Sequence, residues 1–244
     1  MKACVIIPAR HASSRFPGKP LVPLLGKPMI LWVAELSARA VGAEHVHVAT
    51  EDDRIAEVVR GAGFSALMTS PAALTGTDRL AEAAGQIDYD IHINVQGDEP
   101  LVDPEDIRRC IALKAKRPEM IVNGFAWIGP DEDPASVNIP KVIATEAGVM
   151  VYMSRQPLPG FKEAKNAPTR HMKQVCIYGF TRAELAAFAS FGRKSALEAA
   201  EDIEILRFLE LDRRILMYEC RPGSLAVDVP EDVPKVEAAL RARA

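Results

Sequence analysis

Three cations, at Arg10, Arg15 and Lys19, punctuate the stretch Ile7-Pro8-Ala9-Arg10-His11-Ala12-Ser13-Ser14-Arg15-Phe16-Pro17-Gly18-Lys19-Pro20. A loop of this kind can wrap a chain of phosphates. Serine hydroxyls and backbone N–H groups donate, a glycine allows close approach, and the cations neutralise charge. It is not a Walker A loop, which needs Gly six residues before its Lys and Ser or Thr directly after; Ser13 and Pro20 occupy those places. Three other segments carry candidate chemistry. Val95-Gln96-Gly97-Asp98-Glu99-Pro100 ends an apolar run in a glutamine, a glycine and an acid. An Asp there can hold Mg²⁺, which prefers hard oxygen ligands, or can cap a turn. Leu225-Ala226-Val227-Asp228-Val229-Pro230 delivers Asp228 just before a proline, either as a second ligand or as a helix N-cap. Thr75-Gly76-Thr77-Asp78-Arg79-Leu80 reads as a capping turn or as a backbone surface for a base or ribose.

These segments need elements to hold them. Residues 3–8 form a continuous apolar run, the pattern of a strand buried on both faces. Helical spacing follows over 29–41, with Gly42 to stop it. Strand readings at 45–50, 64–68 and 91–96 alternate with helices from Asp52 to the Gly61/Gly63 stop, from about Thr77 to Ala84, and from Pro104 to about Lys116. The phosphate-type loop thus leaves the C-terminal end of the first strand, where open α/β sheets bind ligands. The second half changes character, with strands at 121–128, 141–145, 149–153 and 174–180 and a hairpin signal at Glu146-Ala147-Gly148. A Pro-, Gly- and Lys-rich loop spans 156–169. Helices return at 182–191, 196–211 and 231–244. The expectation is an α/β, Rossmann-like three-layer sandwich. Its sheet is largely parallel with antiparallel additions. A single domain spans residues 1–244, and 121–180 is an insertion able to form a dimer surface.

Composition sets bounds. Net charge is −3, yet residues 1–34 contain five cations and no acid, so the remainder sums to −8. A basic head on an acidic chain favours a local anion site over a nucleic-acid or membrane coat. No apolar stretch approaches the ~20 residues of a membrane span, and no signal peptide is read at the N-terminus. Cys4, Cys110, Cys176 and Cys220 are widely spaced, which argues against a zinc site or disulfide framework and fits a reducing cytoplasm.

With these four segments in this order, the chain resembles the 3-deoxy-manno-octulosonate cytidylyltransferases (CMP-Kdo synthetases) over nearly its whole length. The likeness is strongest in IIPARHASSRFPGKPL, GKPMI, TGTDRLAE, NVQGDEP and AVDVPED. The resemblance implies a Rossmann-like domain with a small dimerisation lobe, a homodimer, and Mg²⁺-dependent transfer of CMP from CTP to an acidic sugar with release of pyrophosphate. It places Ala9, Arg10, Ser13, Arg15 and Lys19 at the triphosphate, Thr75, Gly76, Thr77 and Gln96 at base and ribose, and Asp98 and Asp228 at the metal. Arg10, Lys19, Asp98 and Asp228 form its catalytic set. Positioning and charge stabilisation dominate such transfers, so no histidine base is required and His11 is read as a neighbour of the phosphates.

On the acceptor side the resemblance points to Arg155, Gln174, Tyr178, Glu204 and Arg207. Arg155 matches an arginine suited to a bidentate bond with the substrate carboxylate. In Lys173-Gln174-Val175-Cys176-Ile177-Tyr178 the family's usual His is Gln174 and its Gly is Cys176. A typical Leu-Glu-Gln-Leu-Arg is read at Leu206-Arg207-Phe208-Leu209-Glu210, which reverses a charge and predicts altered acceptor choice. Acceptors other than plain Kdo come into range: an amino-substituted relative, another sugar acid or a phosphonate. Two further readings stand beside this one, a nucleotidyltransferase for sugar 1-phosphates and a catalytically silent nucleotide-binding protein.

Overall fold

The computed structural model describes residues 1–12, 16–130 and 132–243. The main sheet is built by β1 (Ala3–Ala9), β4 (Val46–Thr50), β5 (Ser65–Met68), β6 (Ile91–Val95), β7 (Ile121–Trp127), β10 (Met172–Thr181) and β11 (Ile215–Glu219). Its strand order is β11-β7-β10-β6-β1-β4-β5, and β8 (Lys141–Ala144) and β9 (Met150–Ser154) are added beside β10. A two-residue ribbon, β2 (Pro23–Leu24) and β3 (Lys27–Pro28), precedes the first helix. β1 pairs in parallel with β4 on one side and β6 on the other. Loops leaving β1 and β6 therefore open into one crevice at the point where the strand order reverses.

Alternation along β1 explains the layers. Val5 and Ile7 enter one apolar core with α1 (Met29–Val41), α2 (Asp53–Gly61) and α4 (Pro104–Lys116). Cys4 and Ile6 enter the other with α3 (Gly76–Ala84), α5 (Arg182–Ser190) and α7 (Arg207–Glu210). All four are wholly buried, as a strand covered by helices on both faces requires. Burying such a side chain contributes roughly 1.5–3 kcal/mol. Caps fall where local chemistry supplies them. Asp52, Thr75 and Asp103 each accept an N–H from the first turn of the helix they open. Gly42, at φ +91, ends α1.

The second half brings the expected antiparallel pairings. β10 runs against both β6 and β7, and β8–β9 is a hairpin turning at Gly148. Of residues 121–180, β7 and β10 lie within the main sheet and the β8–β9 hairpin extends from it. Two features depart from the sequence expectation. Ile215–Glu219 is a strand, parallel to β7 at the sheet edge. The helix expected over 196–211 is broken: α6 (Ala196–Glu201) stops at Asp202, which sits at φ +51, and a 3-10 turn then leads into α7. Beyond the break, Glu204 and Arg207 reach α3, as described below. The last helix is α8 (Val233–Arg243). Among the described residues no helix is long and apolar enough to cross a membrane.

Candidate active site

The loop after β1 is closed by its own backbone: Gly18 N–H donates to the carbonyl of His11 at 2.9 Å. Gly18 sits at φ +71, and a Cβ there would lie 3.3 Å from His11 Nε2, so the closure uses glycine twice over. His11 N–H donates to Glu51 Oε1 at 3.1 Å, and Glu51 Oε2 pairs with buried Arg79 at 2.9 Å. Arg79 also donates to Thr69 Oγ1. Glu51 and Arg79 thus hold the start of the loop. Neither was singled out from the sequence, although an acid just past a buried strand and an Arg in TGTDRL were visible signals. Ala9 ends β1 buried, and Arg10 follows it exposed. The Arg10 and Arg79 charges oppose one another. Ser13 and Arg15 lie outside the described residues.

Lys19 is the meeting point. Its Nζ lies 2.5 Å from Asp98 Oδ2 and 3.0 Å from the carbonyl of Val227. Val227 N–H in turn donates to the Asp98 carbonyl at 2.9 Å. Val227 is wholly buried in a small core with Leu24, Met29, Leu101, Val236 and Leu240, so α8 anchors the residue that presents Asp228. Asp228 N–H donates to Asp232 Oδ2 at 2.8 Å; the local cap is made by Asp232, and Asp228 is placed beside Asp98 by main chain. Glu99 lies behind them, 6% exposed. Burial raises its pKa, and a bond from Ser224 Oγ at 2.5 Å opposes the rise. The Cys176 thiol faces the same acids: burial, then Glu99 and Asp98, push its pKa well up.

At α3 the structure shows the capping turn. Thr75 Oγ1 caps the helix and donates to Asp78 Oδ2 at 2.7 Å. Gly76 N–H, Thr77 N–H and Thr77 Oγ1 all donate to Glu204, at 3.0, 2.8 and 2.6 Å. The Gln96 amide lies against Gly76, where a Cβ would approach it to 3.3 Å. Glu204 is therefore a cap on α3 in the first place, and these Gly76 and Thr77 donors are directed to it.

Arg207 requires correction. It is 0% exposed. Its guanidinium binds Glu198 through Nε and Nη2, both at 2.7 Å, and Asp78 through Nη1 at 2.8 Å and Nη2 at 3.1 Å. It also stacks over Phe188. It does not face the crevice. The Leu-Glu-Gln-Leu-Arg pattern is met three residues earlier, at Ile203-Glu204-Ile205-Leu206-Arg207, with both charges in place. The charge reversal disappears with that shift. Arg155 is held by main chain. Its Nε, Nη1 and Nη2 donate to the carbonyls of Glu201, Val137 and Asp202 at 2.6, 2.7 and 2.9 Å. Each nitrogen of the fork expected to grip a carboxylate already donates, so Arg155 clamps the turn after α6.

Gln174 and Tyr178 lie on β10, on either side of an irregularity in its pairing with β7. Tyr178 is 8% exposed and stacks on Phe180. Burial, then Cys176, drives its phenol well above the ordinary value, and Glu204 adds to the effect. Tyr178 thus lies on the α3–α5 face of the sheet, and its neighbour Cys176 faces Glu99 and Asp98.

A cytidylyltransferase family model matches residues 4–215. An 8-amino-3,8-dideoxy-manno-octulosonate cytidylyltransferase of Shewanella baltica is 40% identical over 250 residues, covering 98% of this chain and 99% of that one. A 3-deoxy-manno-octulosonate cytidylyltransferase of Geobacter sulfurreducens is 44% identical over 246 residues, covering 97% and 98%. The solved structure of a CMP:2-keto-3-deoxy-manno-octonic acid synthetase complexed with CTP superposes with a TM-score of 0.91 at 35% identity, over 100% of both chains. With the crevice at the strand-order reversal, the closed basic loop and the acids at the ends of two backbone runs, these matches establish that the chain belongs to the cytidylyltransferase family.

Proposed function

We propose that the protein transfers CMP from CTP to the anomeric hydroxyl of 3-deoxy-manno-octulosonate or its 8-amino relative, releasing pyrophosphate. The observation that carries the reading is Lys19, whose ammonium joins the triphosphate-type loop to Asp98 and to the backbone that presents Asp228. Arg10 and Lys19 bring positive charge to the phosphates, where it balances what accumulates on the leaving pyrophosphate. Gln96, packed against Gly76, is placed for the nucleoside, and the β10 face for the acceptor.

The donor set suits Mg²⁺. Asp98 and Asp228 offer hard carboxylate oxygens. No cluster of three or more His, Cys, Asp or Glu able to hold a metal occurs among the described residues. Mg²⁺ is ordinarily held by one or two carboxylates plus substrate phosphates and water. When bound, the cation would supply charge neutralisation at the phosphate oxygens. The deciding experiment is pyrophosphate release with CTP and Mg²⁺ against a panel of acidic acceptors. Turnover with neither octulosonate would reject the reading. We also place a homodimer contact on the segment 128–171, where Val137, Val151 and Phe161 are more than half exposed. Sedimentation showing a monomer at micromolar concentration would remove that placement.

A further inference from the structure

We infer that buried Asn123 is a positioning residue which turns the Gln174 amide so that its carbonyl oxygen faces the acceptor, and that this selects an acceptor bearing an amine. The inference rests on the proposed function, in that it takes the β10 face as the acceptor side.

The argument begins with a defect in the sheet. Val175 pairs with Gly124, but Tyr178 pairs with Asn123, so β10 advances three residues while β7 advances one. The backbone of this bulge loses regular ladder partners. Asn123, 0% exposed, supplies replacements: its Nδ2 donates to the carbonyls of Val175 at 3.0 Å and Ile177 at 2.9 Å. The other flank is closed by Gly124, where a Cβ would meet Cys220 Sγ at 2.5 Å and Val175 Cβ at 3.4 Å.

Those two bonds settle the polarity of both amides. A carbonyl only accepts, so the end of Asn123 facing two carbonyls is its nitrogen. Its oxygen is then the end facing Gln174, and Gln174 must offer nitrogen in return, as it does at 3.3 Å. What remains of the amide is Oε1, an acceptor with no bond from another described residue, and the second N–H of Nε2, on a side chain that is partly exposed. Met172, Cys176, Tyr178 and Phe180 of β10 pack on the α3–α5 face, and Gln174, two residues from Met172 and from Cys176, shares it.

A fixed neutral acceptor accepts from a hydroxyl, but it forms a charge-assisted bond with an ammonium. A histidine in this place could itself become cationic and repel an ammonium. Glu204 lies near enough to Tyr178 of the same face to raise its phenol, and its charge favours a cation over a neutral group.

The test measures kcat/KM at saturating CTP and Mg²⁺ for 3-deoxy-octulosonate and for its amine-bearing counterpart. It uses wild type, Gln174→Leu, Gln174→His and Asn123→Ala, each checked by thermal melt. The expected result is at least a tenfold preference for the amine in wild type. Both Gln174 variants should lose most of that preference, through the acceptor KM more than kcat. Asn123→Ala should lose it too if it folds, and the Gln174 variants decide alone if it does not. A wild-type preference for the hydroxyl sugar, or a ratio unmoved by both Gln174 substitutions, overturns the inference and leaves the cytidylyltransferase reading standing. Absence of pyrophosphate release with either sugar overturns both.

Discussion

Lys19, Asp98 and Val227 come from three distant parts of the chain and meet within 3.0 Å. Asp98→Asn removes one full charge from this point and little packing, because Asp98 and Lys19 are both partly exposed. Its kcat should fall by about three orders of magnitude, corresponding to about 4 kcal/mol of transition-state stabilisation, with an unchanged thermal melt. Kinetics over a Mg²⁺ titration would check this, and near-wild-type kcat would make Asp98 a turn residue. Arg207 belongs to the opposite category. Arg207→Gln would leave Asp78 and Glu198 with a buried charge uncompensated, a loss of about 3–5 kcal/mol. Urea denaturation should show that loss, and equal destabilisation with retained selectivity between acceptors would separate this role from substrate contact. In the sequence, Lys19 and Asp98 were legible because each ends or follows a strong apolar run. Arg207 was misread because nothing local marks a guanidinium whose partners lie nine and 129 residues away.

Among the elements, runs such as those of β1 and β6 were legible because burial on both faces leaves an unbroken apolar string. β11 was not, since a five-residue edge strand whose partner β7 lies about ninety residues earlier has no local signature. The break after α6 was hidden for a related reason: the segment is helix-forming, and only its need to turn Glu204 and Arg207 towards α3 interrupts it. Glu204 makes this connection testable. Glu204→Ala frees the Gly76 and Thr77 donors at the N-terminus of α3, so stability should fall by about 1–2 kcal/mol, as for loss of an N-cap. Because Gly76 lies against Gln96, KM for CTP should rise as well. An unchanged denaturation midpoint would show that the cap contributes nothing.

At the level of the whole molecule, the sheet buries histidines that carry no charge. His92 is 0% exposed and neither of its ring nitrogens has a hydrogen-bond partner. Burial, then Arg182, lowers its pKa from 6.5 to about 4. His47 is lowered too, by burial and then His45. Between 6.5 and 4 the unfolded chain binds a proton that the folded His92 refuses, so stability falls as pH drops through this window and this contribution levels off near 4. At 1.36 kcal/mol per unit the full effect is about 3 kcal/mol. Denaturation midpoints from pH 8 to pH 4 should slope downward below 6.5, and His92→Leu should flatten the slope. Parallel profiles for the two proteins would assign the acid sensitivity elsewhere.

The Lys19–Val227 bond spans 208 positions. Arg243 reinforces the far end by donating to the carbonyls of Leu101 and Gly223 at 2.6 and 2.8 Å. During synthesis on the ribosome the basic loop emerges first, the first acid follows, and the second acid arrives only with the last helix. On the proposed reading, a nascent chain therefore carries a phosphate-attracting head over those 208 positions before it gains the means to act on what it attracts. A chain ending before residue 228 would lack both the second acid and the α8 contacts that seat Val227, and on the proposed reading it would turn over nothing.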